Sequence, residues 1–172
     1  PKCSPECFHL RAAEALPAEL APALEPVVQS IAELTVRIRH CDQLVDKLSH
    51  EKYPETEALR AIPGVGPVTA LAYVLTLEDN ARFEKSRDVG PFLGLTPRRD
   101  QSGQVDKQLR ITKAGDAYLR RLLVQCAQYV LGRFGPDCDL RRFGLRLAER
   151  GGKNAKRRAV VAVARKLGVL LH

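Results

Sequence analysis

The chain has 172 residues, 45% of them hydrophobic and 28% charged, a composition that indicates a folded globular protein and excludes a disordered one. No apolar run reaches the roughly 18–20 residues needed to span a membrane, and residues 1–10 lack a secretory signal, so we expect a cytoplasmic protein without membrane contact. The net charge of +8 is uneven, because residues 1–60 carry −3 and residues 61–172 carry +11, which points to a polyanionic partner for the second part.

Residues 1–54 are predicted to form a helical arm. A proline-rich start holds one short helical pattern at residues 8–16, and a heptad follows in which apolar side chains alternate at spacings of four and three. Pairing of this seam in a coiled-coil homo-oligomer is favoured, and packing on the chain's own domain is the alternative. Pro54 ends the arm. The seam residues are Val27, Ile31, Leu34, Ile38, Cys41, Val45 and Leu48.

The cysteines favour a reduced protein, because five of them are scattered along the chain and an odd number cannot all pair. Cys3, Cys7 and His9 could form part of a zinc site, but no second Cys/His pair completes the four ligands that zinc prefers. We therefore expect no metal ion or other cofactor in this chain.

Residues 55–172 are predicted to form a compact, mainly helical domain. Helices are expected at about residues 55–61, 68–77, 113–131, 140–150 and 153–171, with a short helix and loop over 83–95. Two short candidate strands, 94–96 and 108–111, indicate a small β-hairpin. Thr112 is expected to cap the helix over 113–131 and Gly132 to stop it. The apolar face of that helix predicts core residues: Leu119, Leu122, Leu123, Cys126, Ala127 and Val130.

The sharpest local signal is a Gly-x-Gly turn within residues 59–70, which has the pattern of a helix-hairpin-helix. Glycines allow a tight turn and a close approach of the backbone to a ligand. The amides of Gly64, Val65 and Gly66 are expected to face outward and bind a phosphate oxygen, and Thr69 is assigned to the same contact. Such a contact grips DNA without reading its sequence, and a plain tight turn is the alternative.

Basic clusters follow the turn. Those at the start of the last helix oppose the helix dipole by about 0.3–1 kcal/mol each, which suggests phosphate binding, with a solvated surface as the alternative. Aromatic residues are few (5%), which favours the duplex backbone over base stacking on single strands. The cations assigned to DNA are Arg98, Arg99, Arg110, Lys113, Arg120, Lys153, Lys156, Arg157 and Arg158.

Ser102 lies in the polar segment Asp100-Gln101-Ser102-Gly103, which by itself reads as a turn. All four histidines are far from it in sequence, so a hydrolase triad is not indicated. Arginines nearby would, however, neutralise a phosphodiester that a hydroxyl attacks.

Six short motifs follow one another between residues 62 and 123. They are Ile62-Pro63-Gly64-Val65-Gly66, Arg82-Phe83, Gly94-Leu95-Thr96-Pro97-Arg98, Ser102-Gly103, Ile111-Thr112-Lys113-x-Gly115-Asp116 and Leu119-Arg120-x-Leu122-Leu123. In order and spacing they resemble the C-terminal domain of the IS110 family of insertion-sequence transposases. The resemblance covers about residues 55–172, and the arm resembles the family's coiled-coil linker more weakly.

The resemblance implies that Ser102 is the catalytic nucleophile, whose oxygen attacks a DNA phosphodiester and forms a covalent phosphoserine link. It also implies an RNase H-like domain whose acidic tetrad binds Mg²⁺. Residues 1–60 lack that pattern, so we expect a fragment that binds DNA without recombining it. Further implications are DNA partners at the element ends and target, a guide RNA in some members, a homo-oligomer, and a nucleoid-associated location.

Two other functions stay open at this stage. A stand-alone helix-hairpin-helix module for DNA binding or repair would carry Ser102 only as a turn residue, and an acidic tetrad encoded upstream would argue against it. A dimerising scaffold would depend on the heptad, and monomeric behaviour in solution would argue against that function.

Overall fold

A computed structural model describes residues 3–102 and 105–172, and for residues 105–108 the backbone alone. The chain divides into two units, Pro1–Leu48 and Ser49–His172. Helices predominate, and the described residues contain one sheet of two strands, so the predicted mainly helical fold is confirmed. Among the described helices, none combines the length and the apolar character that crossing a membrane requires.

The first unit consists of helices. A short 3-10 turn, Pro5–Cys7, leads into α1, Phe8–Ala15, and α2 then runs over Ala21–Lys52. The whole heptad therefore lies on one continuous helix, which ends two residues before Pro54. Most seam side chains are exposed, with Ile38 at 61%. The helix begins earlier than the heptad and contains Pro26, a residue that the pattern placed before it.

The second unit contains six helices and a β-hairpin among the described residues. The helices are α3 Thr56–Arg60, α4 Pro67–Leu77, α5 Val89–Phe92, α6 Ala117–Leu131, α7 Asp139–Glu149 and α8 Ala155–Leu170, and the strands are β1 Pro97–Ser102 and β2 Val105–Ile111. Helices α4, α6 and α8 surround the core, which includes the buried side chains of Tyr73, Leu77, Leu93, Leu119, Leu123 and Leu167. The predicted core face of α6 is buried at Leu119, Leu123, Cys126, Ala127 and Val130, whereas Leu122 is half-buried.

The hairpin is longer than predicted and its first strand lies elsewhere. Antiparallel pairing joins Pro97 to Ile111 and Ser102 to Val105, with an irregularity between Pro97 and Arg99. The prediction placed the first strand at residues 94–96, but Gly94 has a φ of +67° and Leu95 is buried. After Pro97, β1 is polar and exposed, so the alternation that marks a half-buried strand is absent.

The start of α6 also differs from the prediction. Asp116, not Thr112, caps the helix: its Oδ1 accepts a hydrogen bond from the amide of Leu119 at 2.6 Å. Lys113 and Gly115 have φ values of +57° and +73°, a left-handed conformation that cannot continue a helix. The predicted stop at Gly132 is confirmed, since α6 ends at Leu131.

Candidate nucleic-acid interface

A groove of about 1110 Å³ lies between the base of the β-hairpin and α8. One wall comes from the hairpin and the residues beside it, and the other from α8, with Phe143 of α7 and Asn154 completing the lining. The chain leaves the core after Leu95, forms the two strands and returns to the core at Ile111. The packing of the hairpin base therefore sets the shape of this groove. We call it the basic groove.

The lining of the basic groove is strongly cationic. Among the described residues the lining contains no aspartate or glutamate, so no described side chain in the groove neutralises the positive charges. Such a field attracts a polyanion and raises its local concentration. The remaining lining is apolar apart from Asn154. The cations are Arg110, Lys113, Arg157, Arg158, Arg165 and Lys166, and the apolar residues are Leu95, Pro97, Leu109, Ile111, Phe143, Val161, Ala162 and Val169.

The cations of α8 that line the groove lie at two levels along the helix axis. Arg157 and Arg165 are eight residues apart, about 12 Å along the helix axis, with Val161 midway between them. Asn154 occupies the N-cap position but makes no side-chain capping hydrogen bond, and the first turn has no acidic residue. The cations in this turn therefore oppose the helix dipole without local compensation.

Four of the predicted DNA-binding cations line the groove: Arg110, Lys113, Arg157 and Arg158. Sequence reasoning missed Arg165 and Lys166, because the body of the last helix looked too apolar to be exposed. Both are exposed. Arg165 follows Arg157 by eight residues and Lys166 follows Arg158 by eight residues, so each lies on the same helix face as a predicted cation. Spacing at i, i+4 and i+8 from the predicted cluster was the signal that could have found them.

Four other predicted cations are exposed but do not line the groove. Arg98 and Arg99 lie on β1, Lys153 precedes α8, and Lys156 lies in its first turn. They remain available to a ligand that extends beyond the groove.

Arg120, one of the predicted DNA contacts, also makes hydrogen bonds within the domain. Its Nη1 donates hydrogen bonds to the carbonyl oxygens of Leu93 and Ala114, both at 3.2 Å, and of Gly115 at 3.4 Å. The guanidinium thus joins the two chain segments that lead into and out of the hairpin. Nη1 therefore stabilises the base of the hairpin, and the assignment of Arg120 to DNA stays a prediction.

The Gly-x-Gly turn differs in part from its prediction. The amide of Val65 is not free, since it donates to the carbonyl of Ile62 at 3.1 Å, and the Val65 side chain is buried. Gly64 has a φ of +90° and packs on α6, where an added Cβ would lie 2.9 Å from Val130 Cγ2. Gly66 faces open space, and within the described chain neither glycine amide has an acceptor. Helices α3 and α4 flank the turn, while the helix-hairpin-helix assignment stays a prediction.

Thr69 is a correction to the predicted DNA contacts. Its side chain is buried, and its hydroxyl lies 3.5 Å from the sulfur of Cys126. Burial raises the pKa of the Cys126 thiol, in keeping with an apolar surrounding. The Thr69 side chain therefore belongs to the α4–α6 packing and does not reach a phosphate.

Ser102 is exposed at the last position of β1. Its hydroxyl has no hydrogen-bond partner among the described side chains, so nothing described here blocks or activates it. Across the described ranges, no group of three or more His, Cys, Asp or Glu residues could hold a metal ion. The chemistry that the described geometry offers is therefore anion binding, with an accessible hydroxyl at the end of a strand.

A cation-lined surface on a mainly helical domain is typical of proteins that bind polyanions, nucleic acids foremost. The chain belongs to the Transposase IS116/IS110/IS902 family, whose model matches residues 56–142. This range contains the Gly-x-Gly turn, the hairpin and α6, the segments that carry the motifs of the resemblance.

Individual relatives agree with the family. The transposase for insertion sequence element IS1111A of Coxiella burnetii is 37% identical over 113 residues, which are 65% of this chain and 30% of that protein. The transposase for insertion sequence element IS1328 of Yersinia enterocolitica is 42% identical over 77 residues, 45% of this chain and 23% of that protein. A pilin gene-inverting protein of Moraxella lacunata is 29% identical over 141 residues, 76% of this chain and 42% of that protein. The chain thus spans less than half the length of these relatives.

Proposed function

We propose that this chain is the DNA-binding, serine-bearing part of an insertion-sequence transposase. The observation that carries the proposal is the basic groove, in which six cations line one space and none of the described lining residues is acidic. Backbone phosphates carry the charge that this lining lacks, and their binding releases counterions.

The position of the cations supports a ligand role. Arg157 and Arg158 lie in the first turn of α8, where each opposes the helix dipole by about 0.3–1 kcal/mol. A bound phosphate would reverse this effect, because its negative charge is stabilised by the same helix terminus. The groove cations thus favour a bound anion over an empty surface.

The hairpin connects the groove with the proposed nucleophile. Pro97 lines the groove and Ser102 lies five residues further along β1, about 16 Å away in an extended strand. In the proposed reaction the Ser102 oxygen bonds to the phosphorus and its hydroxyl loses its proton. The bond from phosphorus to the leaving strand oxygen breaks, and that oxygen departs as a hydroxyl. Mg²⁺ is assigned to the acidic domain that the resemblance implies, not to residues of this chain.

The exposed seam of α2 supports a further part of the proposal, a homo-oligomer formed through residues 27–48. Ile38 is 61% exposed and Leu34 55% exposed, although both are large apolar side chains on the same helix face. Pairing with the same seam of another copy would remove this face from water.

The nucleophile assignment is tested by Ser102→Ala in a full-length parent transposase. We expect strand transfer to be lost and DNA affinity to stay within about twofold, because the side chain is exposed and too small to hold the DNA. Strand transfer is measured by the appearance of joined products and of a covalent protein–DNA band on denaturing gels. Persistence of both products in the variant would overturn the assignment.

The groove is tested by the salt dependence of DNA binding. Replacing Arg110, Arg158 and Lys166 by alanine should weaken binding and lower the slope of log K against log salt by about 2–3, since each duplex phosphate contact contributes about 0.9. The control replaces Lys85, Arg121 and Arg133, which are exposed, outside the groove lining and equal in charge. Equal slopes for both triple variants would move the interface elsewhere, and a preference for RNA over DNA would reassign the groove to a guide RNA.

A further inference from the structure

We propose that the basic groove takes an unpaired segment of a DNA strand, with bases on its apolar floor and phosphates at its cationic rim. The inference rests on the proposed DNA-binding function and specifies its ligand. It departs from the expectation of duplex binding, which followed from the low aromatic content of the chain.

The apolar floor is the first argument. Eight of the lining residues are apolar, and Phe143, Val161 and Val169 are only half-buried, so they remain accessible from the groove. A paired duplex presents sugars and phosphates to a surface of this kind and would leave the apolar floor in contact with charged groups. Unpaired bases have flat apolar faces, which gain from contact with an aromatic ring and aliphatic side chains.

The arrangement of charge is the second argument. Lys166 Nζ lies over the Phe143 ring, 4.4 Å from its centroid, so a cation and the aromatic side chain are in direct contact in the groove. Along α8, Arg157 and Arg165 form two cationic tiers about 12 Å apart, with the apolar Val161 between them. This alternation matches a strand whose phosphates point to the rim and whose bases turn inward.

The size of the groove is the third argument. Clefts of about 300–1,000 Å³ enclose drug-sized ligands, so a groove of about 1110 Å³ holds a few nucleotides and not a duplex turn. From the groove to Ser102 a strand needs to cover about 16 Å, the length of β1 between Pro97 and Ser102. An unpaired segment in the groove would thus be continuous with the phosphodiester that Ser102 reaches.

The lining favours DNA over RNA. Among the described lining residues Asn154 is the one uncharged polar side chain, so a 2′-hydroxyl finds few hydrogen-bond acceptors there. RNA recognition uses this hydroxyl as donor and acceptor, and the cations of the groove supply donors but no acceptor for it.

The test measures binding of the full chain to four fluorescent probes of about 12 nucleotides: a thymidine strand, an abasic strand of the same charge, a duplex and a uridine RNA strand. We expect the thymidine strand to bind at least about fivefold more tightly than each of the others, because only it combines accessible bases, phosphates and the absence of a 2′-hydroxyl. Equal binding of the thymidine and abasic strands would overturn the inference, as would tighter binding of the duplex or of RNA.

A variant links the preference to the groove. Phe143→Leu keeps an apolar side chain where the ring packs beside the core, and it should reduce the thymidine-to-abasic ratio to within about twofold. Circular dichroism checks that the variant is folded. If it is not folded, the affinities of the wild type for the four probes decide the inference. An unchanged ratio in a folded variant would place base contacts outside the groove. Suppose that replacing Arg110, Arg158 and Lys166 by alanine weakens the binding of every probe, while the thymidine-to-abasic affinity ratio is one in wild type and variants alike. The proposed function then stands and this inference fails.

Discussion

Arg120 shows that a residue in a basic sequence can have a structural contact that the sequence does not predict. Arg120 and Arg121 are adjacent on α6, yet Arg120 turns to three backbone carbonyls while Arg121 is exposed and lies 5.9 Å from the Tyr118 ring. The carbonyls it binds belong to Leu93, Ala114 and Gly115, where two chain segments approach closely. An added Cβ on Gly115 would clash with the carbonyl oxygen of Phe92, so the approach leaves no room for a larger residue.

We expect Arg120→Ala to lower the free energy of unfolding by about 1–3 kcal/mol, because three carbonyls lose a charged donor. The control Arg121→Ala should change it by no more than about 0.5 kcal/mol, as for other exposed positions. Urea unfolding followed by circular dichroism measures both values. A stable Arg120→Ala protein that binds DNA poorly would support the assignment of Arg120 to DNA.

Within the second unit, sequence patterns predicted elements well where burial is periodic. The predicted helices over 68–77 and 140–150 agree with α4 and α7 to within one residue at each end. The β-hairpin was misplaced because β1 is polar on both faces and shows no alternation. The start of α6 was misplaced because Lys113 adopts a left-handed conformation, which is uncommon for lysine and which the sequence therefore does not predict.

For the candidate site, the sequence predicted chemistry better than position. Arg157 and Arg158 were predicted and line the groove, Lys153 and Lys156 were predicted but lie outside its lining, and Arg165 and Lys166 were missed. Thr69 was assigned to a phosphate because it follows the Gly-x-Gly turn, yet helical periodicity turns it toward Cys126. Which side of a helix is buried depends on partners distant in sequence, and no local pattern contains them.

Contact between α4 and α8 depends on a buried phenol. Tyr73 donates a hydrogen bond of 2.7 Å to the carbonyl oxygen of Gly168, and burial raises the pKa of Tyr73 above its ordinary value. A raised pKa means that the fold favours the neutral phenol. This contribution is complete below the unfolded pKa of about 10 and is lost as the pH rises above it.

We therefore expect Tyr73→Phe to lower the free energy of unfolding by about 0.5–1.5 kcal/mol at pH 8, through loss of the hydrogen bond. Between pH 10 and pH 11 the wild type should lose about 1 kcal/mol more than the variant, which has no phenol to ionise at this position. Chemical unfolding at both pH values measures the difference, and Tyr118→Phe at an exposed position provides the control. Parallel pH profiles for wild type and Tyr73→Phe would contradict the assignment.

At the scale of the whole molecule, the two units carry different kinds of surface. The second unit has a continuous core and the basic groove, whereas the first has a long helix whose seam is largely exposed. Several large apolar side chains on one helix face are costly to leave in water, and a second copy of the same helix has the matching pattern. Sequence periodicity predicted the seam, and the association of the chain in solution tests the pairing.

The seam is tested by a pair of substitutions on α2. Ile38→Glu puts a charge into the seam and should shift the chain toward the monomer, because pairing would bury that charge without a partner. Val36→Glu is the matched control, since Val36 is exposed to a similar degree, 64% against 61%, but lies outside the seam. Analytical ultracentrifugation over a range of concentrations should give a dissociation constant at least about tenfold higher for Ile38→Glu than for Val36→Glu. If both variants associate like the wild type, or if the wild type is monomeric at every concentration, residues 27–48 do not form the oligomer contact.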